Sequence, residues 1–141
     1  MIGKLQSNKV KQAVGIFDFI HSVDSVKLAK KISDEQKKQN KKIKIFLQVN
    51  IGNEIQKSGI KLDELKNLVD ECNKINLDVM GLMCLPPENE DASKYFSLIK
   101  NKNDELNFKD LSIGMSNDYM DAINYKTSFL RIGTKIFGDR N

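Results

Sequence analysis

The residues with the strongest claim to chemistry lie in two short stretches near the C-terminus, Leu111-Ser112-Ile113-Gly114-Met115-Ser116 and Arg131-Ile132-Gly133-Thr134. Each is a short apolar strand that finishes in small residues exposing backbone N–H groups. Ser116 and Thr134 stand at expected helix N-termini, where unpaired amides and the helix dipole favour an anion such as phosphate. Gly114 and Gly133 let the backbone come close to a ligand. Two such ends on neighbouring parallel strands would make one phosphate cradle.

Arg131 sits inside the otherwise apolar run Phe129-Leu130-Arg131-Ile132. A buried unpaired guanidinium is very costly, so it either faces a ligand or forms a structural salt bridge. Ser112, Ser116 and Thr134 read equally well as plain caps and turn residues when each is taken alone. His21 follows an apolar strand, where a hydrogen-bonded core histidine is the expectation and a general base the alternative. Lys57, in Gln56-Lys57-Ser58-Gly59, is expected at the surface, or over the site if its loop folds back. Asp118 and Asp121 have helical spacing and read as acids at a helix N-terminus.

Other chemistries find no support. Cys72 and Cys84 lack metal-ligand spacing and His21 is the single histidine, so a zinc or iron–sulfur site is not expected. Neither GxGxxG nor GxxxxGK[ST] is present, and no Ser/His/Asp or Cys/His set can be assembled. No stretch is apolar enough to span a bilayer and no signal-peptide pattern opens the chain, so a cytoplasmic setting is expected. The 141 residues are 30% charged with a formal net charge of +4. The lysines are scattered among acids rather than clustered with aromatics, which argues against a nucleic-acid partner. Lys37, Lys38, Lys41 and Lys42 form the one basic group, read as a solvated helix end.

The elements that must position these residues alternate. Met1 to Leu5 reads as a strand remnant, with a short helix over Ser7 to Val14. A strand over Phe17 to Val23 leads to a helix capped by Asp24 or Ser25, with Val26, Leu28, Ala29 and Ile32 on its apolar stripe. Ile43 to Asn50 is nearly continuous in apolar residues, as in a parallel strand covered on both faces. After the loop Ile51 to Gly59, a helix from near Asp63 carries Leu65, Leu68, Val69 and Cys72. Val79 to Leu85 is a strand stopped by Pro86-Pro87. A helix over Ala92 to Leu106 buries Tyr95, Phe96, Leu98 and Ile99. The strand at Leu111, a helix over Asp118 to Tyr125 and a strand over Ser128 to Gly133 complete the order.

Six strand candidates alternating with helices predict an α/β protein with a parallel sheet. A (β/α) barrel needs eight strands and about 250 residues, so an incomplete barrel and an open doubly wound sheet are the two architectures. With 40% hydrophobic residues the chain suits one core, hence a single partial domain over residues 1–141. In either fold the ligand site lies at the strand C-termini, among Asn50, Met83, Ser112 to Ser116 and Arg131 to Thr134.

Together these motifs resemble the pyridoxal phosphate homeostasis protein family, which adopts the barrel of fold-type III pyridoxal 5'-phosphate (PLP) proteins, similar to the N-terminal domain of alanine racemase. The matching stretches run in order through the chain: Ile2-Gly3-Lys4-Leu5-Gln6-Ser7-Asn8-Lys9, Ile20-His21-Ser22-Val23-Asp24, Gln48-Val49-Asn50-Ile51, Lys57-Ser58-Gly59, Gly81-Leu82-Met83, Leu111 to Ser116 and Arg131 to Gly138. The resemblance implies that Met115, Ser116, Gly133 and Thr134 hold the PLP phosphate, with Ser112, Gly114 and Asn50 completing the site. It implies that Arg131 approaches the pyridine nitrogen, where a cation weakens the cofactor as an electron sink. That suits a PLP carrier and regulator of vitamin B6 and amino-acid pools rather than an enzyme.

Relative to that family, two N-terminal strands are expected to be missing, and with them the lysine that holds PLP covalently. Lys4, Lys9 and Lys57 do not occupy its position, so binding is expected to be non-covalent. An unclosed barrel exposes two parallel sheet edges, a surface for self-association. Two further readings stay open: an enzyme acting on a small phosphorylated metabolite at the same strand ends, and a non-functional fragment.

Overall fold

The computed structural model describes residues 1–138. A single 3-10 turn, Ser7–Lys9, leads into α1 (Val10–Ile16). Then follow β1 (Phe19–Val23), α2 (Val26–Lys38), β2 (Lys44–Val49), α3 (Leu65–Lys74), β3 (Asp78–Cys84) and α4 (Ala92–Glu105). The order ends with β4 (Asp110–Met115), α5 (Tyr119–Ile123), β5 (Phe129–Arg131) and α6 (Thr134–Phe137).

The five strands are all parallel and lie in the order β1-β2-β3-β4-β5. A doubly wound sheet reverses its strand order at a switch point. Here each strand lies beside the next one in sequence, and α1, α2 and α3 pack in succession. The sheet is therefore part of a (β/α) barrel, and the open-sheet alternative falls. It is strongly curved: the rings of Phe19 of β1 and Phe129 of β5 meet at a tilt with centroids 5.4 Å apart, although three strands separate them in the sheet.

Among the described residues there are five strands rather than the six expected. Over Met1 to Leu5 only Met1 makes strand-like hydrogen bonds. Its ammonium donates to the Phe19 carbonyl at 2.5 Å and its carbonyl accepts from the His21 amide at 2.9 Å. The chain then bends at Gly3 and turns into Ser7–Lys9.

Period-2 alternation divides each strand between two environments. Ile45, Leu47 and Val49 of β2 join the core beneath the helices, while Phe46 faces the concave side and packs against His21 and Phe129. The helices supply the other half of the core. Ser25 caps α2 by accepting from the Leu28 amide at 3.3 Å. Leu65, Leu68, Val69 and Cys72 of α3 are all buried. Ten residues make a marginal helix in water, so this burial, about 1.5–3 kcal/mol for a fully buried leucine, holds α3 in place. In α4, Phe96 and Ile99 are buried and Tyr95 packs beside them, but Leu98 points outward and is 44% exposed.

Three helices leave by the same device. Asn40, Asn76 and Asn107 adopt left-handed backbones with φ near 50–60°, and each following amide (Lys41, Leu77, Phe108) donates five residues back, to Gln36, Cys72 and Asn103. This is the Schellman arrangement with asparagine in the usual glycine slot. The basic group after α2 is a helix end as expected: Lys38 pairs with Glu35, and Lys41 donates to the Gly15 carbonyl near the end of α1.

At Gly81 the neighbouring strand β4 leaves no room for a side chain. A methyl group built there would lie 1.7 Å from the Asp110 carbonyl oxygen. Gly114 has φ +92°, and its missing side chain makes room for Ala122 and Leu130.

Candidate functional site

The C-terminal ends of β3, β4 and β5 meet at Arg131. Its Nη1 donates to the Ser112 carbonyl at 2.6 Å and to the Ser112 hydroxyl at 2.8 Å, and its Nη2 donates to the Cys84 carbonyl at 2.7 Å. The side chain is buried. Among the described residues no carboxylate stands within ion-pairing distance of it. The salt bridge weighed from sequence is therefore absent there, and neutral oxygens take its place. Burial lowers the guanidinium pKa, yet an arginine stays charged at neutral pH. These bonds use the two terminal nitrogens and leave Nε–H for another acceptor. The result is a fixed positive charge at the strand ends, a natural attractor for an anionic ligand.

Ser112 connects Arg131 to the opposite wall. Its hydroxyl lies 2.9 Å from Nδ1 of His21, and both residues are buried. His21 is stacked on Phe46 at 4.5 Å and meets the edge of Phe129 at 5.1 Å. Burial, with the Met1 ammonium and the Arg131 guanidinium adding like charge, pushes the imidazole pKa down to about 4. The ring is neutral at pH 7 and hydrogen-bonded, as expected of a core histidine.

The two stretches expected to form a phosphate cradle meet where β4, β5 and the start of α6 come together. The Ser116 hydroxyl accepts from the Gly133 amide at 3.1 Å and the Lys135 amide at 3.4 Å. Its role thus differs from the one expected. It does not open α5, which begins at Tyr119 with Asp118 as its cap residue, but reaches across to α6. The Thr134 amide lies between these two donors at the first position of α6, where no intrahelical acceptor exists. Because the Ser116 oxygen accepts twice, its own proton is free to point outward. Gly133 is exposed, and a methyl group built on it would meet nothing within 4 Å. This open space lies beside the free Thr134 amide and the Ser116 hydroxyl proton, the two donors left for an anion once the Gly133 and Lys135 amides are taken up by Ser116.

Other expected site residues serve the scaffold. The Met115 amide donates to Asp118 Oδ1 at 2.6 Å, so Asp118 occupies this donor and closes the β4–α5 turn. Gly114 turns toward α5 rather than lining the concave face. The Asn50 side chain donates to the Glu54 carbonyl at 2.8 Å and accepts from the Glu54 amide at 3.1 Å, folding the loop over residues 51–59. Lys57 is tied down by the Pro86 carbonyl at 2.8 Å and Glu54 at 2.6 Å, which pins that loop to the end of β3. Cys72 and Cys84 are buried with their thiol pKa values pushed up to about 12 by desolvation, so neither is a nucleophile. Among the described residues no group of His, Cys, Asp and Glu could hold a metal ion, and no helix is long and apolar enough to cross a membrane.

Three contributors were not legible in the sequence. The Cys84 carbonyl binds Arg131 through the backbone, which carries no residue-type signal. Phe46 and Phe129 read as ordinary strand residues until the curvature brought them onto His21.

Comparison with known proteins agrees with this architecture. The model of the family "Alanine racemase, N-terminal domain" matches residues 1–141. A pyridoxal phosphate homeostasis protein of Aquifex aeolicus is 39% identical over 99% of this chain, which spans 65% of the relative's length. PipY of Synechococcus elongatus, solved with PLP bound, is 30% identical with a TM-score of 0.81, over 96% of this chain and 68% of PipY. An alanine racemase of Clostridium difficile shares the fold at a TM-score of 0.72 and 18% identity, over 98% of this chain and 38% of its own. The chain spans about two thirds of the length of such curated relatives and carries five strands of a (β/α) barrel. It belongs to the alanine racemase N-terminal domain family, among relatives named pyridoxal phosphate homeostasis protein.

Proposed function

We propose that this chain binds pyridoxal 5'-phosphate reversibly and non-covalently, as part of PLP and amino-acid homeostasis. The phosphate is held by the Ser116 hydroxyl and the Thr134 amide in the space beside Gly133, with Met115 next to it committing its amide to Asp118, and Arg131 stands toward the pyridine nitrogen. Residues 1–141 act as one partial barrel. The observation that carries this reading is a buried guanidinium held, among the described residues, by neutral oxygens, two residues before an open turn with a free Thr134 amide and the Ser116 hydroxyl.

The donors fit the group. The Thr134 amide and the Ser116 hydroxyl suit a phosphate dianion, and an arginine suits an unprotonated ring nitrogen. Bound PLP supplies an electron sink, which a cation at the ring nitrogen weakens. The protein's own residues orient the ligand, hold its charge and keep a neutral imidazole behind the arginine. Among the described residues no second group in the site is placed as an acid–base partner for turnover, which supports reading the chain as a carrier.

Titrating the full chain with PLP tests this by equilibrium dialysis, gel filtration, and borohydride reduction with mass spectrometry. The expected result is saturable binding, lost on gel filtration, with no mass gain after reduction. A stable mass gain at one lysine overturns the non-covalent reading, and absence of saturable binding overturns the site.

A further inference from the structure

His21 lies on the far wall of the concave face, with three strands between it and Arg131 in the sheet, yet one hydroxyl separates them. Ser112 Oγ accepts from Arg131 Nη1 at 2.8 Å, which commits one lone pair and leaves its proton to be placed. Both Ser112 and His21 are buried, so water is not the partner. The acceptor within reach is His21 Nδ1 at 2.9 Å. A hydroxyl proton directed at Nδ1 requires an imidazole with its own proton on Nε2. The stacking of Phe46 and the edge of Phe129 keep that ring from swinging away.

We infer that His21 is a positioning residue: through the Ser112 hydroxyl it fixes the plane of the Arg131 guanidinium. This rests on the reading of Arg131 as the ring-facing residue, and it adds how that arginine is aimed. Without His21 as acceptor, the Ser112 hydroxyl turns to find another and Nη1 keeps only the Ser112 carbonyl. The guanidinium then rocks about its remaining carbonyl contacts, and the direction of Nε–H is lost. A histidine that merely fills the core would leave Arg131 unaffected when replaced.

The chain has one histidine and two arginines, Arg131 and Arg140, so side-chain nitrogen NMR on the full protein reads both groups cleanly. In ligand-free protein the expected signals are a neutral His21 protonated at Nε2 and a slowly exchanging Arg131 Nε–H. His21→Leu and Ser112→Ala should each speed that exchange about tenfold, whereas His21→Asn, which offers an oxygen near the Nδ1 position, should restore it. PLP affinity should fall about tenfold in the first two variants and stay within about twofold in His21→Asn, a change of about 1.4 kcal/mol against a few tenths. A His21 protonated at Nδ1, or an Arg131 signal unchanged in Ser112→Ala, overturns the inference. If His21→Leu does not fold, Ser112→Ala and His21→Asn decide it. If wild type binds no PLP, the carrier reading fails, while the Arg131 exchange comparison still judges the role of His21.

Discussion

Arg131 and Ser112 are joined twice: one guanidinium nitrogen takes both the carbonyl and the hydroxyl of the same residue, at 2.6 and 2.8 Å. With the Cys84 carbonyl on Nη2 at 2.7 Å, a single side chain fastens three adjacent strands at their C-terminal ends. An ammonium group cannot span this set, because it is one point where the guanidinium is a planar fork. Arg131→Lys should therefore lose about 2–4 kcal/mol in urea unfolding, since buried carbonyls lose charged donors. A loss below about 0.5 kcal/mol would show that the fork is dispensable to the fold.

Gly133→Ala separates the ligand from the scaffold. The added methyl meets nothing within 4 Å, so the unfolding midpoint should move by less than about 1 kcal/mol equivalent. The same methyl enters the space assigned to phosphate, and PLP affinity should fall at least tenfold in equilibrium dialysis. Unchanged affinity would move the phosphate elsewhere.

The depressed His21 pKa makes stability depend on acidity. The unfolded imidazole titrates near the ordinary value of 6.5 and the folded one near 4. Between these values the unfolded chain binds the extra proton, so the contribution is complete above about pH 6.5 and is lost as pH falls toward 4. Integrated over that window the loss is on the order of 3 kcal/mol. Urea melts of wild type and His21→Asn at pH 7 and pH 4.5 should show a steeper decline in wild type. Parallel declines would assign the effect to other groups.

Gly81→Ala should be far worse than any other glycine-to-alanine change in a strand, because the new carbon lies 1.7 Å from the Asp110 carbonyl oxygen and β3 must separate from β4. We expect about 3 kcal/mol or more of destabilisation. Gly3→Ala, facing open space, is the neutral control in the same thermal melts.

The sequence revealed most clearly what periodicity encodes. The apolar run around Ile45, Leu47 and Val49, and the stripe of Leu65, Leu68, Val69 and Cys72, fall in the core as their spacing predicts. The neighbouring strand ends at Ser116 and Gly133 were legible as a pair because glycines and hydroxyls recur there, and the structure joins them by a hydrogen bond from the Gly133 amide to the Ser116 hydroxyl. What periodicity cannot encode is contact across a curve. The link from His21 to Ser112 spans 91 residues and depends on sheet curvature. Asn103 is a second case. It reads as a polar residue of α4, yet it is buried, accepts from the Leu82 amide at 2.9 Å and donates to the Phe108 carbonyl at 3.0 Å. Asn103→Leu should cost about 2–4 kcal/mol by leaving both groups unpaired, measurable in the same urea series. Asn50 drew attention at a strand end and proved to organise its own loop. A strand-end position does not say which way an amide turns.

The asparagine exits from α2, α3 and α4 give the molecule two rims of different character. On one, successive helix-to-strand joints repeat a single standard part. On the other, each crossing is bespoke: a nine-residue loop over 51–59 pinned by Lys57, a stop at Pro86-Pro87, a tight turn closed by Asp118. Variation can therefore accumulate on the bespoke rim without disturbing assembly, and a graft of new ligand chemistry onto this barrel should be confined to that side.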